Sequence, residues 1–196
     1  MSVSVTAHSL TEMVERYGEE RLTKFLQTYS CPKNPEVERF LKDKAISSAK
    51  LSASQTYVVT EDATGLIVGY YTLVLKAYTV NGSKLSSANR RLISRFAEAD
   101  DLGNFHAAVY LIAQIGKNFA ISEKKISGTE LMGMALDEFR AIRRRVGGKI
   151  VMVEREDDRP KLLGFYNRNG FKSWTRRVNS KDGVVYDQMF AILSGE

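Results

Sequence analysis

Hydrophobic residues near the start of the chain recur every three or four positions, which is the spacing of one face of a helix. The apolar positions of this run lie on both sides of Gly18 and comprise Leu10, Met13, Val14, Tyr17, Leu22, Phe25, Leu26 and Tyr29. Ser9 and Glu12 have the spacing of a capping box, which predicts that the first helix begins there. A second helix is predicted over residues 35–50, because Asn34 is a good capping residue and proline fits the first helical position. Residues 1–50 are therefore expected to form an N-terminal helical segment.

The next part of the chain is rich in Val, Ile, Tyr and Thr, which are the residue types that favour strands. Residues 55–60 and 66–75 flank a cluster of turn-forming residues, so we predict an antiparallel hairpin. Residues 106–115 are almost all apolar, which is typical of a strand that is buried on both faces and central in its sheet. A short helix is expected within the polar stretch 84–101.

Strands and helices alternate in the second half of the chain. A stripe of apolar residues predicts a long helix over residues 128–146, and the two glycines that follow end it. The residues of that stripe are Leu131, Met134, Ala135, Phe139 and Ile142. A further helix is expected over residues 160–170, and the predicted strands are 149–153, 171–177 and 184–193. This order of elements predicts an α/β (α+β) fold with one mixed sheet.

The composition is that of one globular domain with a real core. The chain has 196 residues, of which 43% are hydrophobic and 27% charged, and a domain typically holds about 150 residues. The single cysteine, Cys31, excludes an internal disulfide, and two histidines do not supply a zinc site at any usual spacing. We expect no metal, no membrane span and a location in the reducing cytoplasm. The net charge of +6 favours polyanionic partners such as a phosphate-rich cofactor or a nucleic acid.

The segment between the predicted central strand and the long helix has the features of an anion site. A helix N-terminus presents free backbone N–H groups and the positive end of the helix dipole. Gly128 lets the backbone approach a phosphate closely, and Lys124 and Lys125 add positive charge. The alternative interpretation is a solvated basic loop that caps a helix. Neither the Walker spacing nor the Rossmann glycine pattern occurs in the sequence.

Three segments of the second half resemble one known family. Residues 165–171, with the sequence Phe-Tyr-Asn-Arg-Asn-Gly-Phe, resemble the aromatic-Tyr-x-x-x-Gly-Phe segment of the Gcn5-related N-acetyltransferases, the GNAT superfamily. Residues 113–117 are similar to the acetyl-CoA-binding strand of that family, and residues 125–131 to its pyrophosphate loop and helix start. The resemblance covers about residues 56–193. It implies a single GNAT domain over 1–196, with a central mixed, mostly antiparallel sheet in 51–196 that helices flank.

The first half is similar to the GNAT branch that includes bacterial toxins of toxin–antitoxin pairs. The segments that carry this similarity are residues 29–31, residues 34–41 and the strand Gly-Tyr-Tyr-Thr-Leu at 69–73. The pyrophosphate loop departs from the family pattern, because Ile126 stands where the first glycine belongs and Glu123 stands at the Gln/Arg position. The resemblance implies acetyl-CoA as cosubstrate and an amine as acceptor. It leaves tRNA, an antitoxin protein and a second copy of the chain open as further partners.

The resemblance also implies a role for each candidate site residue. The residues implied to bind the cofactor are Ile115, Gly116, Lys117, Lys124, Lys125, Ile126, Ser127, Gly128, Thr129 and Asn167. Backbone N–H groups of the loop would bind the pyrophosphate, and the strand would pair with the pantetheine amides, with Gly116 allowing close approach. Tyr166 would be the general acid, because a phenol with a pKa of about 10 is protonated at neutral pH and can protonate the departing sulfur. Glu154 would be a general base or position a water, unless it belongs to a solvated acidic turn.

The sequence is compatible with three functions. The first is an N-acetyltransferase that acts on a small-molecule or protein amine. The second is a toxin that acetylates the α-amino group of aminoacyl-tRNA and so blocks translation. The third is a catalytically silent GNAT-fold module that binds RNA or a protein, which the departures in the loop would permit. The arginines near the end of the long helix do not favour RNA binding over a solvated face, because no aromatic residues are interleaved with them.

Overall fold

The computed structural model describes residues 3–121, 125–156, 158–180 and 182–194. The strands are β1 (Val5–Ser9), β2 (Gln55–Glu61), β3 (Ile67–Asn81), β4 (Glu98–Ala99), β5 (Asn104–Lys117), β6 (Ile150–Glu156), β7 (Lys172–Val178) and β8 (Val185–Ile192). The α-helices are α1 (Leu10–Tyr17), α2 (Glu19–Leu26), α3 (Pro35–Arg39), α4 (Ala45–Lys50), α5 (Ser87–Ile93), α6 (Gly128–Val146) and α7 (Pro160–Arg168). No helix within these ranges is long and apolar enough to cross a membrane.

All eight strands belong to one sheet in the order β1-β2-β3-β5-β6-β8-β7, with β4 paired to β5. The strand β5 is therefore central, as predicted. It runs parallel to β6, with Tyr110 opposite Val151, whereas the β1–β2, β2–β3, β6–β8 and β7–β8 pairs are antiparallel. The predicted α/β (α+β) class, with a mixed, mostly antiparallel sheet and N-terminal helices, is confirmed.

The N-terminal helices begin where the capping residues predict. The Ser9 hydroxyl accepts the N–H of Glu12 at 3.4 Å, and Gly18, with φ 77°, separates α1 from α2. The second predicted helix is interrupted by a π-helical turn, Phe40–Lys44, which joins α3 to α4. The strand β1 is not predicted by the sequence pattern, because its five residues include few apolar ones.

The expectation that residues 106–115 are buried on both faces is wrong for the first part of β5. Ala107 and Val109 are buried there, whereas His106 and Ala108 are exposed. An alanine on an open face costs little, so an apolar run that contains alanines does not report burial on both sides. By contrast, the first four residues of β6 are all buried, as expected of a strand with a parallel neighbour.

The chain divides into two compact units, each with its own hydrophobic core. Residues 1–74 and 112–137 form the first unit, and residues 75–111 and 138–196 form the second. In the first unit, side chains of α1, α2, α3 and α4 pack with Val58, Ile67 and Tyr70 of the sheet. In the second unit, the core includes Trp174, whose ring stacks on Phe190 with centroids 4.4 Å apart.

Within the first unit, the N-terminal segment packs against the end of β5 at Gly116. A Cβ atom at this position would meet the hydroxyl of Tyr29 and lie 2.7 Å from Cγ1 of Val37. The Tyr29 ring is edge-on to Tyr70 at 5.2 Å, and the Tyr70 hydroxyl donates to the Val37 carbonyl at 2.5 Å. Internal packing thus requires a residue without a side chain at position 116. The reason predicted from the sequence is a different one, the close approach of a cofactor.

Replacing Gly116 by alanine is expected to destabilise the protein, because the new methyl group overpacks a buried site at a cost of about 1–3 kcal/mol. The matched control is Gly133→Ala in α6, where a Cβ meets no described atom within 4 Å. That change is expected to stabilise the helix by about 0.5–1 kcal/mol. Urea unfolding measures both free energies, and equal stabilities for the two variants would contradict the packing argument.

Candidate active site

Asn118, directly after β5, ties three segments of the first unit together. Its backbone N–H donates to the Val68 carbonyl at 2.9 Å, and its side-chain amide donates to the Ile67 carbonyl at 2.8 Å. Its side-chain oxygen accepts the N–H of Ser30 at 2.9 Å, and the N–H of Phe119 donates to the Ser30 carbonyl at 2.7 Å. These bonds fix the chain on both sides of Asn118, so the end of β5 and the turn that follows α2 form one rigid piece.

The residues predicted to pair with pantetheine are the last three of β5, namely Ile115, Gly116 and Lys117. All three are half-buried. The alignment of their backbone with a cofactor stays a prediction.

The N-terminus of α6 carries a complete capping box, which was not predicted. The Ser127 hydroxyl accepts the N–H of Glu130 at 3.1 Å, and the Glu130 carboxylate accepts the N–H of Ser127 at 2.6 Å. The Ser-x-x-Glu spacing is the sequence signal that would have found it. One backbone N–H of the predicted phosphate loop is therefore already bound to a carboxylate, while helix geometry leaves those of Gly128 and Thr129 without an intrahelical acceptor.

Ile126 has a structural reason to stand where the family has a glycine. It immediately precedes the capping residue Ser127, and Leu131 occupies the fourth helical position, which are the two positions of a hydrophobic staple. Both side chains are buried. The spacing and burial of these two side chains favour one direction of entry into α6, which a glycine in place of Ile126 would not do.

The side chain of Lys125 is already engaged by a carboxylate. Its Nζ lies 3.1 Å from Oε1 of Glu61, at the end of β2, and both side chains are mostly buried. The Thr64 hydroxyl donates to the other oxygen of Glu61 at 2.6 Å. These hydrogen bonds, first that from Thr64 and then that from Lys125, lower the pKa of Glu61. Part of the positive charge expected at the loop is therefore compensated, and Lys124 and Glu123 lie outside the described residues.

Tyr166, the candidate general acid, is buried in the second unit. It lies on α7, and 7% of its surface is exposed. Its ring contacts Phe165 and Phe171, with centroid distances of 5.2 and 5.9 Å. Burial raises the pKa of Tyr166 to about 12, and the charge of Arg155 acts in the opposite direction. The phenol is therefore fully protonated at neutral pH, as a proton donor must be.

Arg155 belongs to a buried ion pair that the sequence does not reveal. Its guanidinium Nη2 lies 2.9 Å from Oδ2 of Asp187, the residue opposite it on β8, and both side chains are less than 5% exposed. The hydroxyl of Ser173 donates to the other Asp187 oxygen. A buried pair of this kind gives little net stability compared with apolar residues. Its effect on the pKa of Tyr166 is therefore the property that bears on function.

Glu154, the candidate base, is held by neighbouring strands of the second unit. Arg177 donates to both of its carboxylate oxygens at 3.1 and 3.2 Å, and the Gln188 amide donates at 2.8 Å. Partial burial opposes ionisation, but these hydrogen bonds and the charge of Lys76 outweigh it, and the pKa of Glu154 is lowered. A carboxylate with a lowered pKa is a weak base at neutral pH. Its role in catalysis stays a prediction.

The remaining predicted positions are accessible. Asn167 on α7 and Thr129 in the first turn of α6 are exposed, and Gly128 is half-buried. Within the described ranges, no group of three or more His, Cys, Asp or Glu side chains is arranged to hold a metal ion.

Neither a protein-family model nor a curated protein matches this sequence. Solved structures match it over nearly the whole chain. A bacterial toxin superposes with a TM-score of 0.68 at 16% identity, covering 97% of this chain and 91% of the toxin. AtaT complexed with acetyl-methionyl-tRNAfMet gives a TM-score of 0.63 at 14% identity, covering 93% of this chain and 94% of AtaT. A variant of KacT with a tyrosine replaced by phenylalanine gives 0.62 at 15% identity, covering 94% of each chain.

These similarities show the fold. AtaT and KacT are GNAT toxins of toxin–antitoxin systems, and this chain has the same GNAT fold. The fold that the sequence resemblance implies is therefore confirmed.

Replacing Arg177 by glutamine is expected to raise the pKa of Glu154, because the carboxylate loses a bidentate cationic donor. Carbon-13 NMR of the side-chain carboxyl carbons follows this titration. Because the pKa of Glu154 is lower in the folded protein, its ionised carboxylate stabilises the folded state. This stabilisation is complete above the unfolded-state pKa of about 4.3 and is lost as the pH falls through the lower folded value. The stability difference between wild type and variant should therefore shrink on acidification. Lys172→Gln, which removes an exposed charge from the same strand, should leave the pKa of Glu154 unchanged.

Proposed function

We propose that this chain is an N-acetyltransferase that transfers the acetyl group of acetyl-CoA to a primary amine. The observation that carries the proposal is the buried, protonated Tyr166 on α7 of a GNAT fold, in the segment that resembles the family's catalytic tyrosine motif. The structure of AtaTR bound with AcCoA, with a TM-score of 0.57, supports this choice of cosubstrate. Acetyl-CoA supplies an activated thioester whose sulfur leaves as a thiolate.

In this proposal, Tyr166 holds the proton that the departing sulfur needs. The amine nitrogen attacks the carbonyl carbon directly, the carbon–sulfur bond breaks, and the phenolic proton moves to sulfur. The nitrogen releases one proton to solvent as the amide forms, and the Tyr166 phenolate takes one proton from solvent, so the protons balance and Tyr166 is restored. The lowered pKa of Glu154 suits it better to positioning the amine or a water than to removing this proton.

The residues of the first unit are assigned to cofactor binding. The N–H groups of Gly128 and Thr129 would bind the pyrophosphate at the positive end of α6. The backbone of residues 115–117 would pair with the pantetheine amides, and Lys124 would add charge. Lys125 would add less, because Glu61 already pairs with it. The buried Ile126 and the hydrogen bond from the Ser127 N–H to Glu130 restrain this backbone before a ligand binds. Asn167, which is exposed on α7, stays a predicted cofactor contact.

A toxin that acetylates aminoacyl-tRNA is the second candidate. Two observations favour it: the structural neighbour AtaT was solved with acetyl-methionyl-tRNAfMet, and the present chain carries a net charge of +6. AtaT was also solved with the C-terminus of its antitoxin AtaR, so an antitoxin partner belongs to this candidate. A cytoplasmic location and a homodimer stay predictions.

Replacing Tyr166 by phenylalanine is expected to lower kcat by about 10²- to 10⁴-fold, the usual contribution of a general acid. The Kd for acetyl-CoA should stay within twofold, because the ring remains. Release of CoA measures turnover with a panel of amines that includes aminoacyl-tRNA, so the same assay separates the two candidates. Tyr17→Phe, at an exposed position, is the control. Unchanged turnover of the Tyr166 variant would refute the proposed mechanism.

Replacing Gly128 by proline tests the backbone donors of α6 without removing the helix. Proline is tolerated at the first helical position, yet it deletes one N–H group. Loss of a charged hydrogen bond of about 1.5–3 kcal/mol predicts acetyl-CoA binding that is about ten- to a hundredfold weaker. Ser87→Pro, at the first position of α5, is the matched control and should not change the affinity. Calorimetry measures both Kd values, and a folded Gly128 variant with unaltered affinity would exclude this phosphate site.

A further inference from the structure

An aromatic ring flanked by two lysines is exposed on the first unit. The side chain of Phe119 is 38% exposed. The ammonium of Lys33 lies 4.7 Å from its ring centroid, and that of Lys117 lies 5.7 Å from it. Both distances are within the range of cation–π attraction. We call these three residues, Lys33, Lys117 and Phe119, the Phe119 platform.

The backbone under the platform is held in place before any ligand arrives. The N–H of Phe119 donates to the Ser30 carbonyl, and Asn118 accepts both the N–H of Ser30 and that of Ala120 at 2.9 Å. The turn that carries Lys33 is closed by the N–H of Asn34, which donates to the Cys31 carbonyl at 2.9 Å. A preformed surface loses little conformational entropy on binding, which favours a ligand that needs a fixed planar contact.

The two lysines keep their charge available. Within the described ranges neither Lys33 nor Lys117 forms an ion pair, whereas Lys125 is paired with Glu61. The nearby carboxylate of Glu38 is itself bound by Lys42 at 2.6 Å. The platform therefore combines an aromatic ring with two lysines that no described carboxylate holds, and a base that stacks on the ring would displace the ammonium groups from the ring toward its own phosphate.

A nucleotide matches this combination of groups. Every base has a face that stacks on an aromatic ring regardless of sequence, and the attached phosphate is attracted by lysine. Stacking needs an unpaired base, so a single-stranded segment fits, whereas a regular duplex hides the base faces. An acidic peptide with an aromatic residue is the other partner chemistry, but only the nucleotide supplies a planar face and an anion in each repeating unit.

We propose that the Phe119 platform binds an unpaired nucleotide of RNA, with the base stacked on Phe119 and its phosphate between Lys33 and Lys117. This inference rests on the aminoacyl-tRNA candidate of the proposed function, since aminoacyl-tRNA carries its amine on an unpaired end. No aromatic residue is interleaved with the arginines of α6. Here Phe119 lies beside Lys33, which is distant from it in sequence.

The test is fluorescence anisotropy with a labelled single-stranded RNA of about ten nucleotides, within the usual site sizes for such binding. Phe119→Leu keeps apolar bulk but removes the aromatic face, and it should weaken binding about 5- to 150-fold. Phe119→Trp should restore or exceed the wild-type affinity, because indole also stacks. Lys33→Ala and Lys117→Ala should each reduce the slope of log K against log salt by about 0.7. Lys172→Ala, at an exposed position of β7, should leave the slope unchanged.

The outcomes separate this proposal from the enzymatic one. Acetyl-CoA affinity of the Phe119→Leu variant, measured in parallel, should match wild type, and its thermal midpoint shows whether it folds. If neither the wild type nor the variant binds acetyl-CoA, the proposed function is wrong. The RNA measurements still test the platform in that case. Equal RNA affinity for Phe119→Leu and wild type would overturn the platform. Binding of an acidic, Phe-containing peptide that depends on Phe119, without RNA binding, would also overturn it in favour of a protein partner.

Discussion

The close contact between the N-terminal segment and the last residues of β5 is the constraint on which the first unit depends. Gly116 leaves space for Tyr29 and Val37, and Asn118 then binds the backbone of both β3 and the turn at Ser30. Because the buried face of the strand end is filled from inside, only its backbone and its outer side chains remain for a ligand. The same contact positions Phe119, so packing and the exposed surface follow from one local arrangement.

The N-terminus of α6 is restrained by side chains, whereas the GNAT pattern that the sequence resembles has glycines there. An apolar staple, a carboxylate cap and an ion pair from Lys125 to Glu61 together determine the loop. This construction favours a single backbone conformation, which lowers the entropy cost of binding an anion. It also places the Glu130 carboxylate near the positive end of the helix dipole, where it competes with any phosphate. The rigid backbone therefore favours the binding of a phosphate, whereas the Glu130 charge opposes it.

The sequence predicts the types and the order of most elements because their periodicity is strong over many residues, as in α6 and β6. It misses β1, whose short alternation is diluted by small and polar residues, and it overstates the burial of β5, because alanines count as apolar wherever they lie. The cap of Ser127 by Glu130 was readable from spacing alone. The pair of Arg155 with Asp187, and the approach of Lys33 to Phe119, join residues far apart in sequence, and no local pattern contains them.

The buried surroundings of Tyr166 bear on the proposed proton transfer in two opposing ways. Burial keeps the phenol protonated, which a donor requires, but it also penalises the phenolate that remains after the proton has left. Arg155 reduces that penalty, since its charge favours the phenolate, and Asp187 with Ser173 keep the guanidinium in one position. An apolar pair in place of Arg155 and Asp187 would serve stability as well or better. In the proposed mechanism, the pair would therefore act electrostatically, because a fixed cation lowers the cost of forming a phenolate at the buried Tyr166.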